Sequence, residues 1–99
     1  MTSPTAPAEP ADLLDRAWAL HPGVAVRPEP FGALLYHFGS RRLSFLKDRR
    51  LLEVVRLLDG AGSAREACAA AGLPEEELPT YARALRTLAR TDMIQERRP

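Results

Sequence analysis

Apolar residues recur along this chain with two different periods, and the places where the period changes divide it into segments. In Ala11 to Leu20, Leu13, Leu14, Ala17 and Trp18 fall at helical spacing, while Asp12, Asp15 and Arg16 take the other side. That spacing predicts a short amphipathic helix. From Val24 the pattern becomes β-like. The run Val24-Ala25-Val26 stops at Arg27-Pro28-Glu29-Pro30, where two prolines remove backbone donors and confine the segment to a sheet edge or a bulge. Gly32 opens the run Ala33 to Phe38, and Gly39-Ser40 separates it from Arg41 to Leu46. A glycine at the first turn position accepts the positive φ of a type II′ hairpin, so these runs predict a three-stranded antiparallel sheet.

Helical spacing returns after Asp48, a residue whose carboxylate can cap a helix N-terminus. Leu51, Leu52, Val54, Val55 and Leu58 form the apolar stripe of the first helix, which Gly60 and Gly62 end. Ser63-Ala64-Arg65-Glu66 has the form of a capping box and predicts a second, alanine-rich helix closed by Gly72. Pro74 and the acids Glu75, Glu76 and Glu77 suit the start of a third helix, where negative charge meets the positive end of the helix dipole. This helix runs to about Arg90 and buries Leu78, Tyr81, Ala82, Leu85, Leu88 and Ala89, after which Met93 and Ile94 lead to a polar end. The fold class is α+β: a three-stranded antiparallel sheet followed by three helices, winged helix-turn-helix-like, with a short extra N-terminal helix. Residues 1–10, with Pro4, Pro7 and Pro10 among small residues, predict a disordered tail, leaving a single domain over 11–95.

Composition narrows the classes without naming a partner. The chain has 99 residues, 45% hydrophobic and 27% charged, with 14 basic and 13 acidic side chains, the profile of one ordinary globular domain. A net charge of +1 argues against a protein that lives by gripping nucleic acid, because phosphate neutralisation supplies most non-specific affinity. A single cysteine, Cys68, permits no internal disulfide and fits a reducing cytoplasm. The N-terminus lacks the pattern of a signal peptide, and no stretch approaches the ~18 apolar residues of a membrane span, so no membrane partner is expected.

Candidate chemistry is sparse. His21, His37 and Cys68 are the only imidazole or thiol ligands, and no two of them stand at the close spacing from which zinc sites are built. There is no phosphate loop, no nucleophile elbow and no acid/base pair outside the helix-starting Glu75 to Glu77, which predicts a protein that is not an enzyme and carries no cofactor. The last two helices have the order of a helix-turn-helix, so a winged-helix DNA-binding transcriptional regulator is the rival reading. Against it, three carboxylates stand at the end that would enter the major groove, and Arg83, Arg86 and Arg90 come later.

The remaining feature is a basic cluster, Arg41, Arg42, Lys47, Arg49 and Arg50, around the third strand. Charge at an edge strand can simply block unwanted pairing. It can also flank an edge kept open for an extended peptide, which adds through main-chain hydrogen bonds; basic flanks then favour an acidic partner. Leu43 and Phe45 point to one face of this strand, Ser44 and Leu46 to the other.

Three strands followed by three helices is the order of the precursor-peptide recognition domains (PqqD-like RiPP recognition elements) of ribosomal peptide pathways. The resemblance becomes specific in His21-Pro22, in the stretch from Val24-Ala25-Val26-Arg27-Pro28-Glu29-Pro30-Phe31-Gly32 to Gly39, and in Arg42-Leu43-Ser44-Phe45-Leu46-Lys47. There the chain resembles the mycofactocin-biosynthesis chaperones, over nearly its whole length except the first ten residues. The resemblance implies a non-catalytic chaperone that binds the leader of a precursor peptide and delivers it to a radical S-adenosylmethionine maturase, which holds the iron-sulfur and S-adenosylmethionine cofactors itself. It further implies that the leader pairs with the third strand, Arg42, Leu43, Ser44, Phe45, Leu46 and Lys47, and lies against Tyr81, Leu85 and Arg86 of the third helix. Pro28, Pro30 and Phe31 form a rigid, partly apolar loop without an evident core role, and are the expected contact with the maturase.

Overall fold

The alternation in the middle of the chain is realised as three antiparallel strands in the computed structural model, which describes residues 13–97. In chain order the elements are β1 (Trp18–Leu20), β2 (Val24–Glu29), β3 (Gly32–His37), β4 (Arg42–Leu46), α1 (Arg49–Leu57), α2 (Ala64–Ala70), α3 (Leu78–Arg90) and β5 (Ile94–Glu96). Short 3-10 turns, Leu58–Gly60 and Glu75–Glu77, follow α1 and precede α3. The sheet order β2-β3-β4 and the three helices are those expected. The expected tail, residues 1–10, lies outside the described residues.

The helix starts follow from side-chain chemistry. Asp48 Oδ1 accepts the Arg50 N–H at 2.8 Å and so caps α1. Ser63 Oγ accepts the Glu66 N–H at 3.2 Å, while the Glu66 carboxylate accepts the Gly62 N–H at 3.0 Å, one residue earlier than in a standard capping box. At the end of α2 the Gly72 and Leu73 N–H groups donate to the Ala69 and Cys68 carbonyls, the paired bonds of a Schellman turn. The helices and the inner sheet face share one core. Leu35, Leu46, Leu58, Leu85, Val54 and Met93 are among its most deeply buried side chains.

Three expectations are corrected. First, Ala11 to Leu20 is not one helix. Leu13 and Leu14 are helical, but the chain turns after them and Trp18–Leu20 becomes a strand. This strand pairs antiparallel with β5, Trp18 opposite Glu96 and Leu20 opposite Ile94, so Gln95 and Glu96, at the start of the expected polar end, belong to a second sheet. Long-range pairing overrides local helical spacing here. Arg97 reinforces it, donating from its guanidinium to the Trp18 and Ala61 carbonyls, and Arg16 reaches Glu96 at 3.2 Å.

Second, the β3–β4 hairpin does not use a two-residue Gly39-Ser40 turn. His37 pairs with Arg42, leaving a four-residue loop in which the positive φ, 62°, falls on Arg41. The cause is His37, whose Nδ1 accepts the N–H groups of Gly39 at 3.1 Å and Ser40 at 3.2 Å and so organises the loop itself. Third, β2 does not stop at Val26 but continues through Pro28 to Glu29. It forms an edge of the sheet, as Pro28 requires.

Candidate functional site

Antiparallel register assigns every residue of the three-stranded sheet to a face. Val26, Leu35 and Ser44 form one row, and Pro28, Ala33 and Leu46 another. Leu35 and Ala33 are fully buried and Leu46 almost so, which marks this as the face packed on the helices. The intervening rows, Ala25-Tyr36-Leu43 and Arg27-Leu34-Phe45, therefore lie on the opposite, outer face. Leu43 is 59% and Phe45 58% exposed there.

Register also assigns the backbone. Hydrogen-bonded and non-bonded pairs alternate along an antiparallel ladder. The Phe38 N–H donates to the Gly23 carbonyl at 2.9 Å, which places the backbone groups of Tyr36 and Leu34 toward β2 and those of His37, Leu35 and Ala33 toward β4. The Arg41 N–H, 2.7 Å from the His37 carbonyl, agrees with this phase. Arg42, Ser44 and Leu46 thus bond to β3, while the N–H and C=O of Leu43 and Phe45 face outward along β4. Among the described residues β4 has no second neighbour.

Aromatic side chains collect on the same sheet. Phe31, in the β2–β3 turn, is 46% exposed, and Phe38, in the β3–β4 loop, is 63% exposed. With Phe45 these are all three phenylalanines of the chain. Phe31 and Phe45 have ring centroids 6.3 Å apart, and Phe38 stands edge-on to Tyr36 at 5.0 Å. Around them Arg41, Arg42 and Lys47 are exposed, and Arg27 pairs with Glu29 at 3.0 Å.

The residues expected at the site are only partly brought together. Arg42, Leu43, Phe45 and Lys47 are exposed along β4 and its end, whereas Ser44 and Leu46 turn to the helix side, Leu46 being buried. Tyr81 is half-buried, and its hydroxyl donates to Asp48 just beyond β4. Burial, together with that hydrogen bond and the Asp48 charge, raises the Tyr81 pKa to about 12. Leu85 is fully buried and presents no surface. Arg86 faces elsewhere, into a shallow cleft with Arg16, Trp18 and Arg90. Pro28, Pro30 and Phe31 are exposed at the far end of the sheet. Sequence reading missed Leu34, Tyr36 and Phe38; the signal was the register of the Ala33–Phe38 run against β4, which places Tyr36 beside Leu43.

The other candidate groups are accounted for by structure. His21 and His37 stack with ring centroids 4.4 Å apart, and each Nδ1 accepts backbone N–H, from Gly23 in the first case. Cys68 is buried, and burial pushes its thiol pKa up, away from nucleophilic use. Among the described residues no three His, Cys, Asp or Glu side chains could hold a metal ion together, and no helix is long and apolar enough to cross a membrane.

Known proteins resemble this chain over most of its length. The family model described as "Peptide chaperone MftB family" matches residues 17–95. Proteins named "Peptide chaperone MftB" from Mycobacterium ulcerans, Mycobacterium tuberculosis and Mycolicibacterium smegmatis are 58%, 55% and 52% identical over 80 residues. These 80 residues cover 81% of this chain, 73% of the first two relatives and 78% of the third. No solved structure matches. The match spans β1, the three-stranded sheet, α1, α2, α3 and the start of β5, and the chain belongs to the MftB peptide chaperone family, whose named role is non-catalytic.

Proposed function

We propose that this chain holds the leader of a ribosomally made precursor peptide, the mycofactocin precursor, as an added strand along β4 and presents it to a radical S-adenosylmethionine maturase in the cytoplasm. In this reading residues 11–95 form one peptide-binding domain of winged-helix type, a RiPP recognition element, and the chain itself binds no cofactor. The observation that carries it is the outward-facing backbone of Leu43 and Phe45 along the outer edge of β4, which pairs with no strand among the described residues. Natural sheets usually block such an edge, because it templates pairing with another chain. Here Arg42–Leu46 holds no proline and no bulge, and Leu43 and Phe45, whose backbone faces outward, present apolar side chains rather than charges.

Pairing would extend from Arg42 to Lys47, with Tyr81 and Asp48 at one end of the strand. Leu85 is sealed in the core and offers the peptide no surface, and Arg86 belongs to a separate surface. The maturase would meet the turn formed by Pro28, Pro30 and Phe31, which leaves the backbone edge of β4 free for the peptide; Phe31, its ring 6.3 Å from that of Phe45, would stand where the two partners meet. A DNA-binding role is less consistent with the site, because Glu75, Glu76 and Glu77 are exposed where a recognition helix would enter the major groove.

The deciding experiment is a calorimetric titration of the protein with the synthetic full-length precursor peptide and with a leaderless fragment. Binding that requires the leader is expected. Absence of heat with both peptides, in a protein shown to be folded, would overturn the proposal.

A further inference from the structure

The outer sheet face is apolar without being covered, and this needs a reason. A core of this size is completed by the inner face, where Leu35 and Ala33 are fully buried and Leu46 nearly so. The outer face stabilises nothing comparable, yet it carries Leu43 and Phe45 at more than half exposure, with Phe31 at one end and Phe38 at the other. Large apolar side chains grouped on one exposed face, rimmed by charge, point to a contact surface.

Its size selects the occupant. Three strands at about 4.8 Å spacing and five residues at about 3.3 Å rise give a face on the order of 250 Å². A stable interface with a folded partner needs roughly 800 Å² from each side. A second copy of this chain would also set Arg41, Arg42 and Lys47 against the same cations. A short segment fits the area, and its flanks must be acidic to complement that rim.

Geometry couples this face to the open edge. Leu43 and Phe45 direct their backbone groups outward along the edge and their side chains onto the outer face. A strand added there places the residues opposite these two on the outer face, in line with them. The intervening residues fall on the inner side, beside Ser44 and near Asp48 and Tyr81.

Resting on the strand-addition reading, we infer that the outer face chooses the peptide: the added strand carries apolar side chains at alternate positions, packed on Leu43 and Phe45 and reaching toward Phe31 and Phe38, between acidic flanks. The backbone edge supplies the register-independent part of the affinity, and the aromatic face supplies the selection of side chains. Single-stranded nucleic acid, which also stacks on aromatic residues in basic surroundings, fits less well, because the two rows crossing this face also hold Leu34 and Leu43.

The test measures affinity for the synthetic precursor peptide with three variants, each first shown to be folded by circular dichroism. Leu43→Pro removes an edge donor that the fold does not use. Leu43→Thr/Phe45→Thr keeps the edge and strips the face, and Arg42→Glu/Lys47→Glu reverses the rim. Leu43→Pro is expected to abolish binding, and each double variant to weaken it by about tenfold or more. If Leu43→Pro abolishes binding while the threonine pair leaves it unchanged, the inference about the face fails and strand addition stands. Unchanged binding by Leu43→Pro overturns strand addition itself. Tighter or unchanged binding by the Arg42→Glu/Lys47→Glu variant overturns the acidic flanks. Displacement of the peptide by single-stranded oligothymidine, or a concentration-dependent dimer that the threonine pair abolishes, would reassign the face to nucleic acid or to self-association.

Discussion

The two edges of the three-stranded sheet differ in a way that bears directly on use. Along β2 the outward-facing positions are Val24, Val26 and Pro28. The Val24 N–H is already taken by the His21 carbonyl at 2.9 Å, and Pro28 has no N–H to offer. Only Val26 is left with a donor, too little for a ladder. Along β4 the outward positions are Leu43 and Phe45, both with donors and acceptors that no strand among the described residues engages. One edge is closed and one is open, on the same sheet and about 10 Å apart. Because Pro28 faces away from β3, it closes its edge without costing the sheet a hydrogen bond. A chain that meant only to avoid aggregation would have closed both.

The largest effect is expected where the two hairpins meet. Gly32 begins β3 at φ 154°, and a Cβ placed on it would lie 1.9 Å from the Leu46 carbonyl oxygen and 2.9 Å from the Asp48 nitrogen. Both obstacles are backbone, so they cannot swing away. Gly32→Ala is expected to pry the end of β4 from β3 and cost more than about 3 kcal/mol. Thermal denaturation would show this as a fall of roughly 15 °C or more, and both edges would be lost with the sheet.

Next comes a pair of substitutions that separates the faces. Leu35→Ala empties a fully buried site and is expected to cost about 2–5 kcal/mol in urea denaturation. Leu43→Thr, one row away on β4 and more than half exposed, should change stability by no more than about 0.5 kcal/mol. Equal costs at the two positions would mean that the outer face is structural after all.

How much of this was legible in the sequence depends on where the determining contacts lie. The caps of α1 and α2 were readable because Asp48 and Ser63 act on N–H groups two or three residues away. The edge position of β2 was readable because proline states its own restriction. β1 was not readable, since Trp18–Leu20 owes its conformation to Ile94–Glu96 near the other end of the chain. The His37-organised loop was missed for a related reason: Gly39-Ser40 has the composition of a tight turn, and only the buried imidazole reveals the longer one. At the site, face alternation correctly separated Leu43 and Phe45 from Ser44 and Leu46, because a period of two needs no tertiary information. Helix residues were harder. Tyr81 and Leu85 share a helix face one turn apart, yet one ends half-exposed beside Asp48 and the other sealed in the core.

Opening the closed edge is a smaller intervention. Pro28→Thr restores an outward N–H beside Val26 at a position that β3 does not bond, so stability should change by less than about 1 kcal/mol. The comparison predicts a change in association instead: light scattering should detect self-association in this variant that the parent chain lacks. A monomeric Pro28→Thr protein would show that proline is not what keeps this edge unpaired.

The smallest effect on peptide binding is expected at Tyr81, whose effect on stability is conditional on pH. Its folded pKa is raised from 10 to about 12, first by burial and then by the hydrogen bond to Asp48, which favours the neutral phenol in the folded state. A raised pKa contributes stability that is fully present below pH 10 and is lost as pH rises through about 12. Tyr81→Phe should therefore cost on the order of 1 kcal/mol at neutral pH, where the hydrogen bond is intact. The variant should also lack this part of the alkaline decline between pH 10 and about 12, visible as a smaller gap from the parent chain in urea midpoints near the upper limit. Peptide affinity at neutral pH is a separate readout. Since the hydroxyl is committed to Asp48 and the ring remains in Tyr81→Phe, affinity should change by less than about twofold. A larger loss would place the hydroxyl in the peptide interface and extend the open edge beyond Lys47 onto α3.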